Sequence, residues 1–154
     1  MISVKTLDQP VETLRPVVES WQKIVIDNEF NLLADDVNRY LAALHLMAYG
    51  NDSDLLVLYE DDTPIGYIGL RYFESPLGAN KVANENYFFI VPEKRGIAGM
   101  RLLKMAKMLA KIKGCSHIIF NASNLASDMH DKVSEFYKKL GMKLFESSYI
   151  SEVE

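Results

Sequence analysis

Cysteine occurs once in the 154 residues and histidine three times. One cysteine excludes an internal disulfide framework and suits a reducing compartment. Three scattered histidines with one cysteine offer no metal-ligand spacing, so no metal site is expected. No apolar run approaches the roughly 18 residues of a membrane span. Nor does a basic stretch followed by an apolar one open the chain. A soluble, cytoplasmic protein with no membrane partner is the expectation. An excess of positive charge is missing too: formal net charge is −4, with the cations clustered between Lys94 and Lys113. That balance argues against a nucleic-acid partner and for a local anion pocket. Repeats, low-complexity tracts and linkers are also lacking, and the length suits one domain over residues 1–154.

What is present centres on Tyr87 to Lys104. Tyr87-Phe88-Phe89-Ile90-Val91 reads as a strand buried on both faces, and Pro92, with no N–H for a ladder, stops it. Lys94, Arg95, Gly96, Ile97, Ala98 and Gly99 then place two cations and two glycines within six residues. The period changes after this turn. Leu102, Leu103, Ala106, Leu109 and Ala110 share one helical face, while Arg101, Lys104, Lys107 and Lys111 line another. A strand, a glycine-rich basic turn and a helix start make an anion site, because the first N–H groups of a helix lack intrahelical partners and carry the positive end of its dipole. The same pattern also fits a tight strand-to-helix turn with solvated cations. It is neither a Walker loop nor a dinucleotide-binding turn.

The segment Val91-Pro-Glu-Lys-Arg-Gly-Ile-Ala-Gly-Met-Arg-Leu-Leu103 resembles the acyl-CoA loop of GCN5-related N-acetyltransferases (GNAT), especially the short bacterial and phage-type members. The resemblance implies that Ile90 and Val91 pair with the pantetheine arm. It also assigns Arg95, Gly96, Ile97, Ala98, Gly99 and Met100 to the pyrophosphate and makes Arg101 a further cofactor-binding residue. Ala98 and Met100 stand where the family pattern has Gly and Gly/Ala. The implied fold is α+β, a three-layer α/β/α arrangement. Its mixed, largely antiparallel sheet has six to seven strands flanked by about four helices.

The remaining chain fits that order. A short strand at Met1 to Leu7 precedes a helix over Pro10 to Lys23, with Pro16 near its start. A second helix is capped by Asp35 or Asp36 and ends at Tyr49-Gly50. Leu55 to Glu60 and Ile65 to Phe73 form a hairpin, and Glu74 to Ala83 reads as an exposed loop bordering the acceptor site. Gly114 ends the basic helix. A strand at Ser116 to Asn121, a helix from His130 to Leu140 capped by Ser127 or Asp128, and a last strand at Met142 to Ile150 complete the chain.

Acetyl transfer to an amine needs a neutral amine and profits from a proton for the departing thiolate. Tyr137, in Glu135-Phe-Tyr-Lys-Lys-Leu-Gly-Met142, is similar to the family tyrosine that faces the CoA sulfur. It also belongs to an apolar stripe with Val133, Phe136 and Leu140, so a core role stands beside the catalytic one. By the same resemblance Glu85 is the candidate base; the other reading is a solvated carboxylate at the start of a strand. His130 stands where relatives have a pantetheine-contacting Asn, and Asn121 and Asn124 are further CoA contacts. Cys115 and His117 share a strand face without an orienting partner, and Cys115 reads as an apolar filler. The expected function is acetyl-CoA-dependent N-acetylation of a primary amine, small molecule or peptide, by direct transfer in a ternary complex, from a chain that can form a homodimer. The competing expectation is a GNAT-fold module that binds CoA or a protein without turnover.

Overall fold

The computed structural model describes residues 1–125 and 130–153. Its centre is Leu55-Leu56-Val57-Leu58-Tyr59, five consecutive buried residues in strand β2 (Ser53–Glu60). Successive side chains of a strand point to opposite faces. Leu55, Val57 and Tyr59 therefore enter one core, and Leu56 and Leu58 another. β2 lies in a sheet with β1 (Ile2–Thr6), β3 (Thr63–Glu74), β4 (Lys81–Ile90) and β5 (His117–Ile119), in the spatial order β1-β2-β3-β4-β5. Every pairing is antiparallel except the last, which is parallel.

Helices cover both faces. α1 (Arg15–Val25) carries Pro16 in its first turn, where a missing N–H costs nothing. It buries Val17, Val18, Trp21 and Val25 in the first core. α2 (Val37–Tyr49) adds Leu41, Leu44 and Met47 to that core. Its N-cap is Asp36, whose carboxylate accepts from the Arg39 amide at 3.0 Å. The opposite face carries α3 (Ile97–Ile112) and α4 (His130–Lys139), which give Leu102, Leu103, Ala106, Ala110 and Tyr137 to the second core. Gly114 (φ 83°) terminates α3, and the Cys115 amide closes back on Ala110 O at 3.0 Å.

The expected three-layer arrangement with four α-helices holds, but the strand count does not. The sheet has five strands among the described residues. Met142 to Ile150, expected as a final strand, runs with no ladder partner. Alternating apolar residues set a propensity, and a strand forms only where a neighbour supplies the hydrogen bonds. The loop expected over Glu74 to Ala83 is also shorter. β3 continues through Glu74 and β4 begins at Lys81, so residues 75–80 alone make the turn, closed by the Ser75 amide on Asn80 O at 2.9 Å. Glu85 consequently stands inside β4. Its polar neighbours Asn84 and Asn86 hid the strand, because the β3–β4 register slips there: Gly69 faces Tyr87 and Leu70 faces Glu85, leaving Asn86 as the extra residue of a bulge. The proposed α4 caps, Ser127 and Asp128, lie outside the described residues.

Candidate functional site

β4 and β5 pair over three positions only, Val82 with His117, Ala83 with Ile118 and Asn84 with Ile119. Beyond them β4 runs on to Ile90 with β3 on one side and, among the described residues, no strand on the other. A sheet that parts in this way leaves backbone donors and acceptors open along one edge. Ile90 is at the far end of that edge, with Val91 following it.

Glu85 sits where the two strands separate, at 5% exposure, and is buried as ionisable residues seldom are. The Asn121 amide donates to its carboxylate at 3.0 Å. The Asn121 side chain donates to the Glu85 carbonyl at 2.5 Å. Burial outweighs these bonds and pushes the Glu85 carboxyl up to about 7. Tyr137 Oη donates to the carbonyl of the same residue, Asn121 O, at 3.3 Å. Burial, reinforced by the nearby Glu85 charge, pushes the Tyr137 phenol above its ordinary value. Asn121 therefore links the two candidate catalytic groups, one through its N–H and one through its carbonyl. Tyr137 packs in the second core, as its place in the apolar stripe predicts, and its hydroxyl is hydrogen-bonded close to Glu85.

At the other end of the open edge, Pro92–Lys94 form a short 3₁₀ turn and Arg95 is extended. Gly96 then takes φ 102° and ψ −123°, a backbone state that L side chains rarely adopt, and becomes the N-cap of α3. No side chain caps this helix and its first turn carries no acidic residue. The amides of Ile97, Ala98 and Gly99 thus point outward with the dipole behind them. Arg95 Nε donates to Ile90 O at 3.0 Å and its guanidinium lies 5.7 Å from the centre of the Phe89 ring. That bond fixes the fork and leaves the two terminal nitrogens for an anion. Lys94 pairs instead with Glu60 at 2.5 Å.

The other candidates are placed less centrally. The Met100 amide is spent on Gly96 O at 3.3 Å, and the Arg101 guanidinium donates to Ile2 O in β1 at 3.0 Å. The Asn124 carbonyl accepts from Asn28 at 2.6 Å, and the Asn124 side chain is exposed. His130 opens α4, two helical turns before Tyr137, with Nδ1 3.0 Å from the Asp131 carboxylate. Cys115 packs against the second core and burial pushes its thiol up. An aromatic group went unseen in the sequence. Trp21 stacks on Tyr40 at 4.4 Å, Tyr87 meets Tyr40 edge-on at 5.5 Å, and Tyr67 Oη donates to Tyr40 Oη at 3.0 Å. Burial, with contributions from Tyr87 and Glu85, pushes the Tyr40 phenol up, so this group lies within electrostatic reach of Glu85. Its members come from α1, α2, β3 and β4, and no local spacing announces them.

A profile of the acetyltransferase (GNAT) family matches residues 18–142. The chain belongs to the GNAT family. No curated protein matches it. Among solved structures it is similar to a ribosomal-protein-alanine N-acetyltransferase from Brucella melitensis biovar Abortus 2308 (TM-score 0.74, 13% identity, all of both chains covered). It is also similar to a transcriptional regulator from Bacillus halodurans C-125 (0.75, 16%, 99% of this chain and 100% of that one). A third is an aminoglycoside acetyltransferase, HMB0005, from an uncultured soil metagenomic sample (0.71, 16%, 100% and 99%). At such identities these structures show a shared fold. Acetyl transfer is the chemistry the family membership suggests, and GNAT proteins generally draw on acetyl-CoA.

Proposed function

We propose that this GNAT protein is an acetyl-CoA-dependent N-acetyltransferase that acetylates a primary amine by direct transfer in a ternary complex. The observation that carries the reading is the Glu85–Asn121–Tyr137 arrangement where β4 and β5 part, at one end of an open strand edge that finishes at the bare N-terminus of α3. The residues fit the cosubstrate. The Ile97, Ala98 and Gly99 amides with the Arg95 fork suit a pyrophosphate. The uncovered edge of β4 suits an amide-bearing arm that takes strand-like hydrogen bonds. It runs up to Ile90, whose carbonyl already accepts from Arg95, and Val91, whose amide donates to Ile65 O at 3.0 Å.

Glu85, half ionised near neutral pH, accepts the proton of the incoming amine and leaves its nitrogen lone pair free to attack the thioester carbonyl. Tyr137, protonated across this range, donates its phenol proton to sulfur as the C–S bond breaks. Asn121 holds both groups and is a positioning residue. The products are the acetylated amine and a free thiol. The aromatic group around Tyr40, within electrostatic reach of the Glu85 carboxylate, favours an acceptor that arrives as an organic cation.

The test pairs a thermal shift with turnover. Acetyl-CoA should raise the melting temperature by mass action. Thiol release should then appear with one or more members of an amine panel spanning aminoglycosides, polyamines and peptide N-termini. An unchanged melting curve at millimolar acetyl-CoA would sink the proposal. A shift without thiol release across the panel would identify a binding module instead.

A further inference from the structure

Strand β1 lies at one edge of the sheet, and its pairing with β2 shows which of its backbone groups face outward. The Asp61 amide donates to Met1 O at 2.8 Å, and the Leu7 amide donates to Leu55 O at 3.1 Å. Residues 1 and 7 thus turn toward the neighbouring chain, and the direction alternates along an antiparallel strand. Ile2, Val4 and Thr6 therefore point their N–H and C=O groups away from β2, where no strand meets them among the described residues. The Arg101 guanidinium, reaching over from α3, donates to Ile2 O at 3.0 Å, as that direction requires. The outward groups of Val4 and Thr6 have no such partner among the described residues.

The same edge borders a cleft of about 330 Å³ between β1 and α3. Its apolar lining is Ile2, Val4 and Met105, each only partly buried against the second core, together with Met108, which is 48% exposed. Its charged lining is Arg101 and Lys104, both exposed, and Lys107 and Lys111 continue the row along α3. None of these four cations is in an ion pair among the described residues. Glu60 and Asp61, at the end of β2, are already paired with Lys94 and the N-terminal amine. In a chain of net charge −4, this row of unpaired cations beside an open strand edge is a local reversal of sign.

We propose that the β1 edge and the exposed side of α3 form a docking site for an acidic, extended peptide segment of a partner protein, bound as an added strand. Val4 and Thr6 supply main-chain hydrogen bonds to it, and its alternate side chains turn toward α3. Apolar side chains there cover Met105 and Met108, while carboxylates meet Arg101 and Lys104. The cations also reject a basic or neutral strand that would otherwise add to an open edge. This surface is separated from β4 by β2 and β3, so the inference does not depend on any catalytic role for Glu85 or Tyr137.

The test titrates the full chain into a fluorophore-capped, C-amidated peptide, Thr-Glu-Thr-Val-Thr-Glu-Thr, followed by anisotropy. The control is the same peptide with Lys in place of Glu. Saturable binding of the acidic peptide below millimolar concentration is expected, weakening as salt is raised, with none of the lysine analogue. Amide hydrogen exchange at Val4 and Thr6 should slow in the complex. Val4→Pro removes an outward N–H and no β1–β2 bond, and Lys104→Glu reverses an exposed charge, so both should keep the fold by circular dichroism. Each should weaken the peptide by more than about fivefold. No saturable binding at millimolar peptide overturns the proposal, as does equal binding of the lysine analogue. Binding that Val4→Pro leaves intact overturns it too, since the contact is then one of charge without an added strand. An oligothymidylate that binds more tightly and displaces the peptide would give the surface to nucleic acid instead.

Discussion

At the scale of single residues, Glu85 and Tyr137 make separable predictions. A carboxyl whose folded pKa is about 7 against an ordinary 4.5 binds more protons folded than unfolded between those values. Stability therefore falls as pH rises from about 4.5 to about 7, because ionisation must occur in a buried place. Glu85→Gln should flatten that part of the stability–pH curve, as chemical denaturation at several pH values would show. The same ionisation should make turnover of the native protein climb with pH through about 7. Glu85→Gln should lose this limb and about 10²–10⁴ of the rate. Tyr137→Phe keeps the ring in the second core and removes one donor from Asn121 O, so stability should drop by about 1 kcal/mol. Turnover should fall by about 10²–10⁴ with little change in acetyl-CoA affinity. A variant that melts several degrees lower and keeps its turnover would assign Tyr137 to structure alone.

At the scale of elements, the turn from β4 into α3 carries its own test. Arg95 is oriented by Ile90 O and packed on Phe89, which holds its fork where the α3 amides emerge. Arg95→Ala should weaken acetyl-CoA by about 1–3 kcal/mol by calorimetry. Arg95→Lys should restore only part of that, since an ammonium cannot donate to Ile90 O and present a planar fork together. Equal affinities for all three proteins would remove Arg95 from the site. This turn was legible because strand, glycine, basic residues and helix are consecutive in sequence. So were α1, α2 and α3, whose apolar spacing follows the helical period. The beginning of β4 was not legible. Asn84-Glu85-Asn86 looks like solvated chain, and the bulge and buried carboxylate become sensible only beside β3 and Asn121, the latter 36 residues away. Glu85 was singled out through family resemblance alone, and its bridge to Tyr137 through Asn121 was not anticipated. The course of residues 142–150 was not legible either, since alternation shows that a segment can pair and not that a neighbour stands beside it.

At the scale of the whole molecule, the sheet is assembled from connections of unequal length. β2, β3 and β4 follow one another in the chain and neighbour one another in space, whereas β5 joins through the α3 crossover and holds β4 at three positions. Short-range pairings form before distant ones, because less loop entropy is lost in making them. The β5 pairing, held at three positions, should therefore open before the β2–β3–β4 meander by sub-global opening. Native-state exchange should show the Ile118 and Ile119 amides opening at a lower free energy than those of Val57 and Ile68, and uniform protection would refute this order. The candidate site lies on the seam between the meander and β5, with Glu85 on β4 and Asn121 and Tyr137 beyond the crossover. A ligand lodged in that seam would act as a clasp, its occupancy written into the cooperativity of the fold: two opening steps in the free protein should merge toward one in the complex.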